Sequence, residues 1–479
     1  MGATNRRIGL PAPNPYTLCR FSPKETYAND WERRIRTGAT VPKPTTGKLM
    51  TVRKTIAVSP VWSGHPVGFD LLTHGDRQFV AFYDAERNMT VGQRRLEEDA
   101  FEFVRLEGVW LEGRGRLSTE IAWDSHNSIT MALDRTGHIH LCGNMHVDPL
   151  IYFRTAEPLD IATFERVDRM VGKNETRCTY PVFMRGPQGE LVFYFRDGQS
   201  GNGVDYYNRY DENTRAWSRL IDTPILDGMD LMNAYARKPA PGPDGFFHMV
   251  WMWRDTPDCA TNHDISYARS RDLVQWEAGD GTALELPITI EDRAAIVDPS
   301  PPGGGLINMC QSLGFDARRR PIVSYHKHDD NGHTQAYAAR LENSAWQIRQ
   351  LSDWDYHWGF SGNGSVAAQI QLGGAEARDD GQLAMAWWHL KKGSGIWQLD
   401  PETLRVTGSY PEPAPDLPDE LLQPQLDYPD MQILTRRGRG DAGGERHILV
   451  WETLPRNRDQ PRAEIPPPSP LRLHILSES

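Results

Sequence analysis

The chain has 479 residues, with 53 Lys and Arg against 64 Asp and Glu and a formal charge of −11; that balance argues against nucleic acid as a default partner. An anionic sugar is not excluded, because charges beyond roughly 8 Å are screened and a local group of Arg and His governs its own surroundings. Five cysteines, Cys19, Cys142, Cys178, Cys259 and Cys310, without CxxC spacing, exclude a disulfide framework and a zinc finger and read as reduced, mostly buried thiols.

The N-terminus MGATNRRIGLPAPNPYT lacks the apolar stretch of an export signal, and Arg6 stands where a myristoylation signal wants Ser or Thr. No stretch approaches the length of a membrane span, so no membrane partner is expected. Read as written the chain is cytoplasmic, or secreted or periplasmic if a leader has been removed. Residues 1–48 read as an irregular extension. From 49 onward helix formers are scarce, 42 Gly and 35 Pro punctuate short aromatic-rich runs, and the class is all-β.

Seven apolar runs follow turn-like segments: FVAFYD (79–84), HIHLCGNMH (138–146), LVFYFRDG (191–198), FHMVWMWRD (247–255), PIVSYHKHD (321–329), LAMAWWHL (383–390) and HILVWETL (447–454), with starts 53 to 74 residues apart. Such a period suits the four-stranded blades of a seven-bladed β-propeller occupying 49–479 as one domain. A β-sandwich with a second domain leaves the period unexplained. LMTVRKTIAV (49–58) and LRLHILS (471–477) are the strands expected to close the ring, since an open edge invites aggregation. Pro-rich 455–470 reads as irregular.

The second and third runs belong to hairpins with reactive residues at their open ends. HNSITMALDRTGHIHLCGNMH (126–146) turns at Asp134-Arg135-Thr136-Gly137, and TYPVFMRGPQGELVFYFR (179–196) turns at Gly186-Pro187-Gln188-Gly189. Residues equidistant from such a turn face one another, which pairs His126 with His146 and Tyr180 with Arg196. Imidazoles titrate near working pH, as a general acid or base must. Arg196 has the planar fork that grips a carboxylate, and Pro181 biases Tyr180 to an extended strand start. The plainer reading is a structural His pair and a cation–π contact.

The fourth unit offers Tyr235 at its strand start, Arg254 and Asp255 at the facing strand end, and then Cys259 and Asn262-His263-Asp264. Ser270-Arg271-Asp272 with Trp276 is close to an Asp-box turn, although the Gly is missing and the Trp is one place early. In the fifth unit the same mirror argument sets Asn308 near His328 and Cys310 near His326. A Cys–His pair with His263 from the neighbouring unit could hold structural zinc, or could be a buried thiol beside a hydrogen-bonded imidazole. Gly303-Gly304-Gly305 reads as a connecting loop, and His357 and Trp358 could line the same face.

Taken together, SHNS around His126, the His146 spacing, TYPVF, YFRDGQSGNG, TNHDISYARS and HKHDDNGHTQAYAAR resemble the BNR-repeat seven-bladed propellers of the ulvan lyases, polysaccharide lyase families twenty-four and twenty-five, over most of residues 50–454. The resemblance implies catalytic roles for His126, His146, Tyr180 and Arg196, with Tyr235, Arg254, His263 and His328 as substrate-binding residues. It implies β-elimination at a uronic acid, a glucuronate or iduronate linked to rhamnose, with Arg on the carboxylate, His and Tyr as base and acid, and no cofactor or catalytic metal. The expected partner is an anionic carbohydrate. A propeller glycoside hydrolase would need carboxylates, for which Asp124, Asp197 and Asp255 are nearby; a non-catalytic glycan-binding propeller would need only the aromatic faces and the Arg.

Overall fold

A computed structural model describes residues 50–478 apart from 309, 365, 412–416, 441 and the side chain of Glu478. The irregular extension expected at 1–48, with Cys19, therefore lies outside the described residues. Within them the regular structure is strand, interrupted by 3-10 turns such as Ile161–Thr163 and Asp419–Leu422. No described helix is long and apolar enough to cross a membrane.

Every apolar run becomes a strand with an antiparallel neighbour on each side. Arg77–Tyr83 lies between Asp70–His74 and Met89–Arg95, and Ile139–Cys142 between Thr130–Leu133 and Tyr152–Thr155. Leu191–Asp197 lies between Cys178–Arg185 and Val204–Asp211, and Phe247–Arg254 between Asn233–Ala236 and Asn262–Ser270. Pro321–His328, Leu383–His389 and Arg446–Thr453 repeat the arrangement. These strands read as continuous apolar runs because both their faces are covered: all eight residues of Phe247–Arg254 and all seven of Leu191–Asp197 are buried.

The first and last described strands meet. Met50–Val61 pairs with Ser469–Glu478 from Met50 opposite Glu478 to Val61 opposite Ser469, so the N-terminal strand completes the sheet of the last unit. Strand Ser469–Glu478 starts inside the Pro-rich stretch, whose remainder carries no strand. Phe69 of the first unit stacks on Trp451 of the last at 4.4 Å, and one apolar cluster runs from Ile56 through the first three units to Leu449, Leu473 and Ile475. Elsewhere two units touch edge to edge where Phe315 bridges Glu376 in parallel, and Gly314 fits there because a Cβ would lie 2.1 Å from the Ala375 carbonyl oxygen. The turn Ser270–Trp276 is tied in the Asp-box manner despite its irregular spacing: the Asp272 carboxylate accepts from Ser270 Oγ and from the N–H groups of Val274 and Gln275.

The seam is what joins the first residues to the last, so its core is expected to be sensitive. Leu473 is fully buried between Ile56 and Leu449. Leu473→Ala should lower the unfolding free energy by roughly 2–5 kcal/mol, read from urea midpoints; a loss below about 1 kcal/mol would show that the seam strand is not part of the cooperative core.

Candidate active site

His126 and His146 do meet, with ring centroids 4.3 Å apart and planes at 35°, but not as a ladder pair. The expected register holds where the strands exist, Thr130 opposite Cys142 and Leu133 opposite Ile139, and the ladder stops at Thr130 and Cys142. Asn144, in the left-handed region at φ 59°, turns the chain away and its side-chain amide donates to the Ser118 and Glu120 carbonyls. His146 thereby opens a new strand, His146–Asp148, in the neighbouring sheet.

What brings the rings together is Asp124. Its Oδ1 accepts from the His126 backbone N–H at 2.9 Å and from His126 Nδ1 at 2.6 Å, while Oδ2 accepts from His146 Nδ1 at 2.5 Å. Burial works against the charge on Asp124, but the two imidazole hydrogen bonds outweigh it and hold the carboxyl well below its usual range. A carboxylate has no proton to give, so each imidazole donates from Nδ1 and keeps Nε2 for another partner. Asp459, from the Pro-rich stretch, accepts from the Ser125 N–H and hydroxyl and lies 3.7 Å from His126 Nδ1.

Tyr180 also departs from expectation. Arg196 pairs with Thr179, and the register shifts between Thr179 and Val182; Tyr180 sits in that bulge at φ 55°, left-handed and not extended. Pro181 cannot donate to a ladder, so the local break is resolved as a bulge, which re-aims the side chain. The phenol ring ends 5.7 Å from His126 and 5.9 Å from His146, with the Arg196 guanidinium over it at 4.9 Å. Burial pushes the Tyr180 hydroxyl up to about 12 against the opposing pull of Arg196.

Arg196 is 2% exposed, and its Nε and Nη1 have no hydrogen-bond partner among the described residues, a costly arrangement for a buried donor unless a ligand supplies the acceptor. Burial opposes its charge, and Tyr180, Tyr235 and Asp205 favour it, leaving its pKa raised. A Cβ on Gly203 would come within 2.7 Å of Arg196 Cδ, so the glycine makes room for the side chain. Tyr235 continues the cluster: it lies under Arg196 at 5.7 Å and Arg254 at 5.0 Å, and its hydroxyl meets Ser200 Oγ at 2.6 Å. Burial would raise its pKa, yet the two guanidiniums bring it below the usual value. Arg254 is anchored by the carbonyls of Thr256, Pro257 and Asp258.

His263 and His328 stand apart from this group. His263 is held by Asp255 at 2.9 Å and Asp264 at 3.1 Å, which raise its pKa against burial. His328 packs against His357, ring centroids 4.5 Å apart and planes tilted by 41°. Neither shares a ring contact or hydrogen bond with Tyr180 or Arg196 among the described residues. The expected zinc set does not converge either: both nitrogens of His263 are taken, the Cys310 thiol donates to the Ile370 carbonyl at 3.1 Å, and His326 packs on Trp358. The described residues that do bring three possible ligand atoms within 4.8 Å of one another are Asp124, His126 and His146.

Two residues of the site went unassigned in the sequence reading. Asp124 stood there only as a possible hydrolase acid, and nothing in its spacing marked it as the bridge. Asp205, directly opposite Arg196 on the neighbouring strand, is buried and accepts from the Tyr194 hydroxyl at 3.0 Å.

Residues 77–354, more than half of the chain, match the family described as "BNR repeat-containing family member"; the chain belongs to that family. It is similar to "Ulvan lyase, short isoform" of Alteromonas sp. (strain LOR), 36% identical over 149 residues, which cover 26% of this chain and 26% of that protein. Against "Ulvan lyase, long isoform" of Glaciecola sp. (strain KUL10) it is 46% identical over 47 residues, 10% of this chain and 5% of that protein. The matched regions thus span about a quarter or less of these relatives. In fold the chain resembles polysaccharide lyase Uly1, with a TM-score of 0.59 at 12% identity over 89% of this chain and all of that one. It likewise resembles a PL25 ulvan lyase bound to GlcA(1-4)Rha3S, with a TM-score of 0.57 at 13% identity over 89% of this chain and 96% of that one.

Burial pushes the Asp205 carboxyl up to about 7 against Tyr194 and Arg196, whereas an unfolded Asp titrates near 4. The folded chain therefore keeps a proton that the unfolded chain has lost; that stability is fully present below about pH 4 and disappears as pH rises through about 7. Asp205→Asn keeps an acceptor for Tyr194 and removes the titration. Between about pH 5 and pH 8 the wild type should lose roughly 2–3 kcal/mol more than the variant in urea unfolding; equal losses would mean that Asp205 does not titrate there.

Proposed function

We propose that this member of the BNR repeat-containing family is a polysaccharide lyase built on a seven-bladed β-propeller, cleaving next to a uronic acid by β-elimination. The substrate we infer is a glucuronate or iduronate linked to rhamnose, as in ulvan-like polymers. The observation that carries the reading is the convergence of Arg196, with two unpartnered buried donors, on a phenol and two imidazoles whose Nδ1 atoms are both spent on Asp124. The propeller assignment, one domain over 49–479, rests on the seven repeated antiparallel units and the seam between the chain ends.

The chemistry follows from these groups. The C5 proton of a uronate is weakly acidic until its carboxylate is neutralised; in this reading the Arg196 guanidinium binds that carboxylate and the charge that builds on it. An imidazole Nε2 of His126 or His146 takes the C5 proton; the electron pair forms the C4–C5 double bond, the C4–O4 bond breaks, and O4 receives a proton. Tyr180, a phenol protonated at neutral pH and held more firmly so by burial, suits the donor role. Tyr235 and Arg254 extend the same surface along the sugar chain.

A hydrolase needs a carboxylic acid to donate a proton. The carboxylate hydrogen-bonded to both imidazoles, Asp124, is held ionised with both oxygens engaged, and Asp459 beside His126 is engaged by Ser125; Asp197 pairs with Arg177 and Asp255 with His263. The geometry therefore favours elimination.

Incubation with glucuronate-containing polysaccharide should generate ultraviolet absorbance from the conjugated product. New reducing ends without absorbance would overturn the proposal in favour of hydrolysis, and binding without either in favour of a glycan-binding module. Arg196→Ala should lower kcat by roughly 10² to 10³ with the fold retained, while Tyr180→Phe and the double change His126→Ala/His146→Ala should remove turnover. Near wild-type turnover in Arg196→Ala would refute carboxylate neutralisation by that side chain.

A further inference from the structure

The inner strands carry a second group of cations at their other ends. Arg185 closes the strand that bears Tyr180, five residues and so roughly 17 Å further on; Arg436 lies near the end of strand Gln432–Arg437, Arg439 just beyond it and Lys238 just beyond Asn233–Ala236. A cavity of about 350 Å³ opens there, lined by Arg185, Arg439 and His74 above an apolar floor of Leu72, Leu133 and Phe183. The size suits a group of about one sugar ring.

This mouth is built and not incidental. The Arg439 segment is laid against the first unit by Thr73 N–H to the Arg439 carbonyl at 2.8 Å and Arg439 N–H to the Leu71 carbonyl at 3.0 Å. Gly440, at φ 91°, permits the approach, since a Cβ would lie 1.9 Å from the Thr73 carbonyl oxygen. Asp70 is wholly buried, and its oxygens are consumed by Arg436, Arg439 and the Leu71 and Met131 N–H groups. One carboxylate thus holds two guanidiniums and leaves the group positive.

Arg185 finds only neutral acceptors, the Leu133 carbonyl at 2.7 Å and the Gly189 carbonyl at 3.3 Å. Lys238 is exposed and has no ion pair among the described residues; the charges of Arg439 and Arg436 act against its own, with Asp70 opposing. The acids that feel Arg185, Asp134 and Glu212, are already engaged, Asp134 by Thr136 and His140 and Glu212 by Arg135. In a chain of charge −11, four cations around one consumed carboxylate form a local site for negative charge.

We propose that this mouth binds an oxyanion, sulfate or phosphate, free or carried on a single sugar residue, between Arg185 and Arg439. Two guanidiniums supply the charge-assisted donors such a group accepts, and the apolar floor suits the face of an attached ring. The site is separate from the Tyr180 cluster, so its occupancy does not depend on the lyase reading.

The test uses the full chain and isothermal titration with sodium sulfate, sodium phosphate and glucose 6-sulfate at matched ionic strength, beside Arg185→Gln and, as an exposed alternative that leaves packing intact, Lys238→Gln. The wild type should bind, with at least about tenfold weaker binding in Arg185→Gln and a smaller loss in Lys238→Gln. Tighter binding of the sugar sulfate identifies a carried oxyanion, and equal binding a free one. Undetectable binding by the wild type, or binding unaltered in both variants, overturns the proposal.

Discussion

The site depends on one shared carboxylate. Asp124 accepts from the Nδ1 atoms of two imidazoles, His126 in a turn and His146 at the start of a strand, and this fixes both tautomers and both ring orientations. Without that charge two imidazoles at 4.3 Å would be free to turn. Asp124 is held in its ionised form by the same contacts, so it stays an acceptor for both rings.

The fold supplies the rest by repetition. In two successive units antiparallel pairing returns the second strand to the level at which the first began, so residues far apart in sequence collect at strand starts and returns: Tyr180 and Arg196 in one unit, Tyr235 and Arg254 in the next. The opposite ends collect Arg185, Arg436 and Arg439 by the same logic. An acidic chain thereby carries concentrated positive charge at two separate places, which its net charge alone does not reveal.

How much of this is legible in the sequence divides along physical lines. The apolar runs are visible because a strand covered on both faces must be apolar throughout, and all seven became strands with a neighbour on each side. The meeting of His126 with His146 follows from counting about a turn, and the count survives although the ladder does not. Tyr180 reaches the cluster for a reason opposite to the expected one: proline beside it led to a bulge at positive φ where local preference pointed to an extended residue, a case of tertiary context overriding propensity. Asp124 and Asp459 act from irregular segments, whose geometry no periodicity encodes. The expected zinc ligands failed because facing positions were taken for converging donors, whereas His263 turns both nitrogens to its own neighbours.

The central claim is that the glycosidic bond breaks by loss of a proton and not by entry of water. Product mass after cleavage of a glucuronate-containing polysaccharide in water enriched in heavy oxygen tests it most directly. The account predicts an unsaturated, dehydrated non-reducing end and no heavy oxygen incorporated by cleavage, once exchange at the reducing end is blocked by prompt reduction. Heavy oxygen fixed in the product, with a saturated non-reducing end, would contradict it.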